Sequence, residues 1–194
     1  MKKDRRKQSR GSGSVRIIAG NWRGSKLPIA DLPGLRPSGD RCRETLFNWL
    51  QPHLRGAVCA DLFAGSGALG MEAASRGAAR VVLIEKNARA ANVLQENIDR
   101  LKGEHVEVIL GDAMAWLQEQ APQSINIVFI DPPFGLQLES RALEVLELGD
   151  VVKPGGFVYV ETARSEAGQV PGPGWELVRE KALGEVRMGL WKKV

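Results

Sequence analysis

The chain has 194 residues, of which 43% are hydrophobic, and a formal net charge of +4. That length suits one large domain with a full core and a small appendage, and no apolar run approaches the roughly 20 residues of a membrane span. Cys42, Cys59, His53 and His105 stand apart from one another, so neither a C-x-x-C pair nor a metal site is expected, and the charged first residues do not look like a secretory signal.

The charge is distributed unevenly. Residues 1–55 hold 13 Lys/Arg against 4 Asp/Glu, a net of +9, while residues 56–194 hold 14 against 19, a net of −5. A basic front on an acidic body is the footprint of a segment that meets phosphates, joined to a domain that does something else. Residues 1–14 lack core-forming side chains after Met1 and are expected to be a disordered basic tail.

Structure is expected to begin at Val15. Val15–Ala19 and Lys26–Ile29 flank a Gly/Asn-rich connection and predict a small hairpin. Its loop presents Trp22, a ring that can stack, beside Arg23, a cation that can pair with phosphate. Next, Leu46, Phe47, Leu50 and Leu54 recur at helical spacing, with Ser38 or Asp40 placed to cap the helix and Pro52 near its end. Arg36, Arg41 and Arg43 gather at the start of that helix, where the dipole disfavours cations. A broken local rule is a hint of function, and phosphate contact would suit these cations; the structural alternative is pairing with Asp40 and Glu44. Residues 15–55 therefore read as a basic hairpin and helix able to meet phosphates, Arg16 included.

From Ala57 onward, strands and helices alternate. Ala57–Phe63, Arg80–Glu85, Val106–Leu110, Ile125–Ile130 and Phe157–Glu161 read as strands; Gly67–Arg76, Ala88–Leu101, Ala113–Gln120 and Glu139–Leu148 read as helices. This pattern predicts an α/β fold: a Rossmann-like, mostly parallel, doubly wound sheet over residues 56–194. Trp175–Lys181 and Val186–Lys192 have no helix between them, so they should form an antiparallel hairpin at the far edge.

Gly65, Gly67 and Gly70 spell G-x-G-x-x-G after the first of these strands, and Glu85 ends the next. This satisfies a dinucleotide fingerprint. Asp61 argues against a pyrophosphate, because an uncompensated carboxylate would repel it. The same acid suits S-adenosylmethionine, which has no phosphate and carries an ammonium and a sulfonium. Glu85 can bind its ribose hydroxyls, and Asp112 with the Ala113 N–H can address adenine. Phe63 lies in the same turn and belongs to the same expected cofactor set. Asp112 can equally cap a helix.

The apolar run Ile125–Ile130 ends in Asp131-Pro132-Pro133-Phe134. Ligands of open α/β sheets sit at such strand ends. Asp131 and the Pro132 carbonyl can accept the N–H groups of an amine, Pro133 helps fix the chain, and Phe134 can stack on a base.

These motifs resemble Rossmann-like S-adenosylmethionine methyltransferases that act on amino nitrogens, whose motif is D/N-P-P-Y/F. More narrowly, Gly20–Gly24, Leu35-Arg36-Pro37, Asp40–Leu50 and Asp61–Gly70 resemble the bacterial 16S rRNA guanine-N2 methyltransferase family (RsmD-like). The resemblance implies methyl transfer to N2 of a guanine in 16S rRNA, within the small ribosomal subunit or its assembly intermediate. It also implies that the phosphates met by residues 15–55 belong to RNA, which makes them an RNA-binding hairpin and helix. The two isolated cysteines suit free thiols in a reducing cytosol, so a cytoplasmic protein is expected, and a monomer. From the residues alone, other readings stay open: methylation of DNA adenine or protein glutamine, a nicotinamide-dependent dehydrogenase, and a non-catalytic RNA-binding protein.

Overall fold

In the computed structural model, residues 13–32, 39–133, 135–165 and 171–194 are described. Most of the basic tail, Arg36, Ser38 and Phe134 lie outside them.

Alternation along the strands sets the layers. Cys59, Val81, Leu83, Ile127, Phe129, Phe157 and Tyr159 pack in one apolar cluster, while their neighbours Ala60, Val82, Ile84, Val128, Ile130, Val158 and Val160 pack in another. Successive strand residues thus feed opposite faces of one sheet, which needs helices on both. The strands are β1 (Ser14–Arg16), β2 (Lys26–Pro28), β3 (Val58–Asp61), β4 (Arg80–Glu85), β5 (Val106–Leu110), β6 (Ile125–Ile130), β7 (Val152–Ala163), β8 (Trp175–Leu183) and β9 (Val186–Lys193). The helices are α1 (Asp40–Leu54), α2 (Ala68–Ser75), α3 (Ala88–Leu101), α4 (Ala113–Gln118) and α5 (Leu138–Leu148).

The large sheet runs β5-β4-β3-β6-β7-β9-β8, with β3 to β7 parallel and β9 antiparallel to both neighbours. The two last strands do form a hairpin, but β9 inserts between β7 and β8. Met188 and Leu190 of β9 are buried whereas β8 is largely exposed, so the more apolar strand takes the inner place. β7 begins at Val152 rather than Phe157, and its pairing with β6 shifts register between Ile125 and Ile127. Among the described residues no helix is long and apolar enough to cross a membrane.

The front segment shares this core. Val15, Ile17, Leu27 and Ile29, with Leu46, Phe47, Leu50 and Leu54 of α1, belong to the same cluster as α2 and the sheet face beneath it. Gly20 is needed where the hairpin loop meets α2: it has φ +83°, and an added Cβ would lie 1.9 Å from the Ser75 carbonyl oxygen. There Asn21 N–H donates to that carbonyl at 2.7 Å and Trp22 N–H to the Ser75 hydroxyl at 2.9 Å.

Candidate active site

The strand order puts β3 in the middle of the parallel strands, with β4 and β5 on one side and β6 and β7 on the other. The crevice at such a reversal is where this architecture binds ligands. Acids stand at the ends of adjacent strands in the spatial order Asp112, Glu85, Asp61, Asp131, Glu161. All of them line one cavity of about 920 Å³, together with Phe63, Gly65, Ala113, Pro132 and Pro133. That is room for a nucleoside and a second flat group.

The glycine turn is built for close approach. Gly65 has φ +51° and Gly67 φ +75°. Gly67 does not line the cavity: its missing Cβ makes room for Leu94 of α3, which a Cβ would approach to 2.6 Å. Packing against Leu94 is thus one reason for a glycine at this position. At Gly70 a Cβ would sit 2.1 Å from Leu83 Cδ2, so this glycine lets α2 lie close on the sheet.

Asp61 is 2% exposed, and its Oδ2 accepts the Gly70 N–H at 2.9 Å. Burial pushes its carboxyl up to about 7, and the charges of Asp131 and Glu85 push the same way while the Gly70 N–H opposes. Glu85 accepts Gly65 N–H through Oε2 at 2.8 Å and Asn87 N–H through Oε1 at 2.7 Å. Each oxygen keeps a lone pair for a ligand hydroxyl. Asp112 caps α4, its Oδ1 accepting the N–H groups of Met114 and Ala115 at 3.0 and 3.2 Å. Lys86 Nζ stands 3.8 Å from its other oxygen. With five acids against the two cations Lys86 and Arg141, the lining disfavours phosphate and suits a cationic, hydroxyl-bearing ligand. Among the described residues no cluster suits a metal ion.

On the far side of Asp61, Pro132 is buried and Asp131 half-buried. Register pairs Ile130 of β6 with Val160 of β7, so Asp131 and Glu161 follow one another on neighbouring strand ends. Glu161 is 5% exposed, and its Oε2 accepts the Tyr159 O–H at 2.7 Å. Burial first, and the Asp131 charge second, raise its carboxyl to about 8. The sequence carried Glu161 only as a strand end. Its signal was positional: an acid closing the fifth parallel strand, as others close or follow the first four.

The basic front divides. Arg43 is 1% exposed and cannot meet RNA; it donates to Asp40 Oδ1 at 2.7 Å and to the Arg16 carbonyl at 3.0 Å, and faces Glu72. A guanidinium at the start of α1 is tolerated because the buried carboxylate of α2 compensates it. Asp40 is thus a first-turn residue, and Gly39 at the N-cap makes no side-chain cap bond. Arg16 and Arg41 are exposed, and the Arg43 bonds hold their backbone near Gly39, which lines the cavity. Trp22 and Arg23 lie elsewhere. The Trp22 ring, half-buried, packs on Gly103 and stands 5.5 Å from the His105 ring, just before β5 starts and so at the opposite end of the sheet from the cavity. Part of its apolar area is therefore used by the fold, while the ring remains partly exposed.

Sheet order, glycine turn, acid row and Asp131-Pro132-Pro133 define a Rossmann-like methyltransferase. The family described as "Conserved hypothetical protein 95" has a model that matches residues 15–192, and the chain belongs to that family. A Haemophilus influenzae protein named "Ribosomal RNA small subunit methyltransferase D" is 44% identical over 183 residues, covering 93% of this chain and 94% of the relative. An Escherichia coli K12 protein of the same name is also 44% identical over 183 residues, covering 94% and 92%. A solved Escherichia coli structure, named provisionally as the methyltransferase yhhF, superposes with a TM-score of 0.86 at 41% identity and covers 93% of this chain and 98% of its own.

Proposed function

We propose that this chain transfers a methyl group from S-adenosylmethionine to the exocyclic N2 of a guanine in small-subunit ribosomal RNA. The observation that carries this reading is a single cavity with a row of carboxylates on one side and the Asp131-Pro132-Pro133 clamp on the other. The names of the relatives support ribosomal RNA of the small subunit as the substrate. The family resemblance and the clamp together support guanine N2.

The donor set fits this cofactor: Asp61, held by Gly70, offers a buried charge to its cationic end, Glu85 accepts from ribose hydroxyls, and Asp112 with the Ala113 region borders the base. S-adenosylmethionine supplies, when bound, a methyl group activated by its sulfonium. The work of this chain is on the acceptor. An exocyclic amine is a poor nucleophile because its lone pair is delocalised into the ring. Asp131 and the Pro132 carbonyl accept its two N–H bonds and draw the nitrogen towards tetrahedral geometry, turning the lone pair to the methyl group. With the methyl group taken up by that lone pair, Asp131 holds the proton that the amine gives up. Pro132 and Pro133, with fixed φ and no N–H, keep the carbonyl aimed. Phe134 is assigned to stacking on the base, which must be flipped out or already unpaired.

Arg16 and Arg41, near the cavity rim, are assigned to phosphates of the RNA that delivers the guanine. Arg23, at the other end of the sheet, suits a separate backbone contact, and Arg36 belongs by sequence to the first group. The test is methylation of small subunits lacking the modification, with labelled cofactor and nucleoside analysis. N2-methylguanosine is expected; any other methylated nucleoside, or none, overturns the reading.

A further inference from the structure

The acid row contains one more carboxylate than this mechanism uses. Glu161 is buried in β7, two residues before its end, lines the cavity with Asp131, and has one oxygen fixed by the Tyr159 O–H at 2.7 Å. Burying an acid next to another acid is unfavourable, and among the described residues no cation forms an ion pair with it. The groups that act on it are Asp131, just after β6, and Tyr159 of its own strand; the Cys42 thiol of α1 feels the charges of Glu161, Asp131 and Lys181. A costly group aimed into a binding cavity calls for a ligand that satisfies it.

The chemistry of the amine's neighbour identifies what it takes. In guanine the N2 amine stands beside N1–H, a donor. In adenine the N6 amine stands beside N1, a bare acceptor. A clamp that grips the amine through Asp131 and Pro132 brings that neighbouring ring position towards the next strand end, which is Glu161. We propose that Glu161 accepts the N1–H of the target guanine and is the residue by which this site prefers guanine to adenine. The proposal rests on the guanine-N2 reading above. A charged oxygen there gains a hydrogen bond from guanine and meets a repelling lone pair from adenine. Tyr159, by donating to one oxygen, fixes the carboxylate and favours its charged form; the N1–H of guanine does the same on arrival. Burial first and the Asp131 charge second hold the empty-site carboxyl high, so the guanine edge and the charge on Glu161 are mutually stabilising.

2-Aminopurine separates the two roles, since it keeps the N2 amine and lacks the N1–H. The target guanosine is first located with the wild-type protein, and small-subunit RNA is then ligated with either guanosine or 2-aminopurine riboside at that position. The wild type is expected to favour guanosine by roughly 10- to 100-fold in kcat/KM, the span of one hydrogen bond to a charged group. In Glu161→Gln, whose amide can donate or accept, that preference is expected to collapse to within about threefold, with guanosine turnover lost and 2-aminopurine turnover kept. Tyr159→Phe is expected to narrow the preference part way. Affinity for S-adenosylmethionine should be unchanged in both variants. A wild type indifferent to the N1–H overturns the assignment without any variant having to fold, and so does an equal fall on both substrates in Glu161→Gln. If the wild-type product is not N2-methylguanosine at all, the function reading has failed rather than the role of Glu161.

Discussion

Arg43 and Glu72 form an ion pair inside the core: Arg43 Nη1 lies 3.6 Å from Glu72 Oε2, and neither side chain is exposed to solvent. Glu72 also accepts the N–H groups of Ile18 and Ala19 at 2.8 and 3.0 Å and the Arg76 Nε at 2.7 Å. One carboxylate on α2 therefore fastens both α1 and the segment after β1 to the sheet. The Nε and Nη1 of Arg43 make no hydrogen bond, so this arginine depends on the Glu72 charge and on Asp40 and the Arg16 carbonyl.

Removing one member of such a pair leaves the other uncompensated, and the two removals are not equivalent. Glu72→Ala leaves Arg43, two backbone N–H groups and Arg76 short of an acceptor, and should lower unfolding stability by about 3–5 kcal/mol. Arg43→Met leaves Glu72 with its other donors and should cost about half as much or less. Urea unfolding of both variants checks the order. An equal loss, or a larger one for Arg43→Met, would show that the arginine and not the glutamate is the anchor.

The sheet and its alternating helices were legible because their signals are local: period-two apolar runs, a glycine turn and an acid at each strand end. Asp61, Glu85, Asp112 and Asp131 could be placed at strand ends before any coordinates, and the cavity brings them together. Contacts between distant segments were not legible. Arg43 looked like an RNA contact because its partner Glu72 lies on another helix and nothing in the local sequence announces it. Trp22 looked free because its seat on Gly103 depends on a glycine far along the chain. Glu161 passed as a strand end because its neighbour Asp131 belongs to a different strand.

Asp131→Ala should lower kcat by roughly 10²- to 10³-fold, the usual loss on removing one group that organises a transition state. The dissociation constant for S-adenosylmethionine should change by no more than about threefold, because the expected cofactor residues stand on β3, β4 and after β5. Removing this charge also takes away the second cause that raises Glu161, so the Glu161 carboxyl should titrate lower in the variant. Single-turnover rates and carboxyl-labelled NMR titration test the two halves independently. Full activity in the variant would sink the clamp mechanism.

Asp61 should make cofactor binding dependent on pH. Its folded carboxyl lies near 7, above the ordinary carboxylate value of 3.8. An acid raised by folding binds more protons in the folded state across that window, so its contribution to stability falls as pH rises from about 4 to about 7 and is level above. A cationic ligand favours the charged form and releases a proton on binding. Affinity for S-adenosylmethionine should therefore increase between pH 6 and 8. In Asp61→Asn the difference from wild type should be largest at pH 8, with weaker binding at that pH and a flatter profile. Without cofactor the variant should gain stability relative to wild type as pH rises from 5 to 8. Calorimetry at several pH values reads both effects, and a wild-type affinity that falls with pH would contradict the assignment.

The exposed arginines should separate RNA binding from cofactor binding. Arg16 and Arg41 point to solvent near the rim and make none of the ion pairs found among the described residues. Charge reversal at Arg41 should weaken binding to small-subunit RNA at low salt and reduce the slope of log K against log salt by about one, the change expected for one lost phosphate contact. Arg16→Glu should act in the same way, and the two changes should add. Neither should move the midpoint of unfolding by much, in contrast to Arg43→Glu, which puts a second carboxylate against Glu72 and should prevent stable folding. Reversal at Arg23, at the other end of the sheet, should leave methyl transfer to a short RNA hairpin intact even where binding to the whole subunit suffers. If Arg41→Glu reduced cofactor affinity as much as RNA affinity, the rim assignment would fail and Arg41 would belong to the cofactor site.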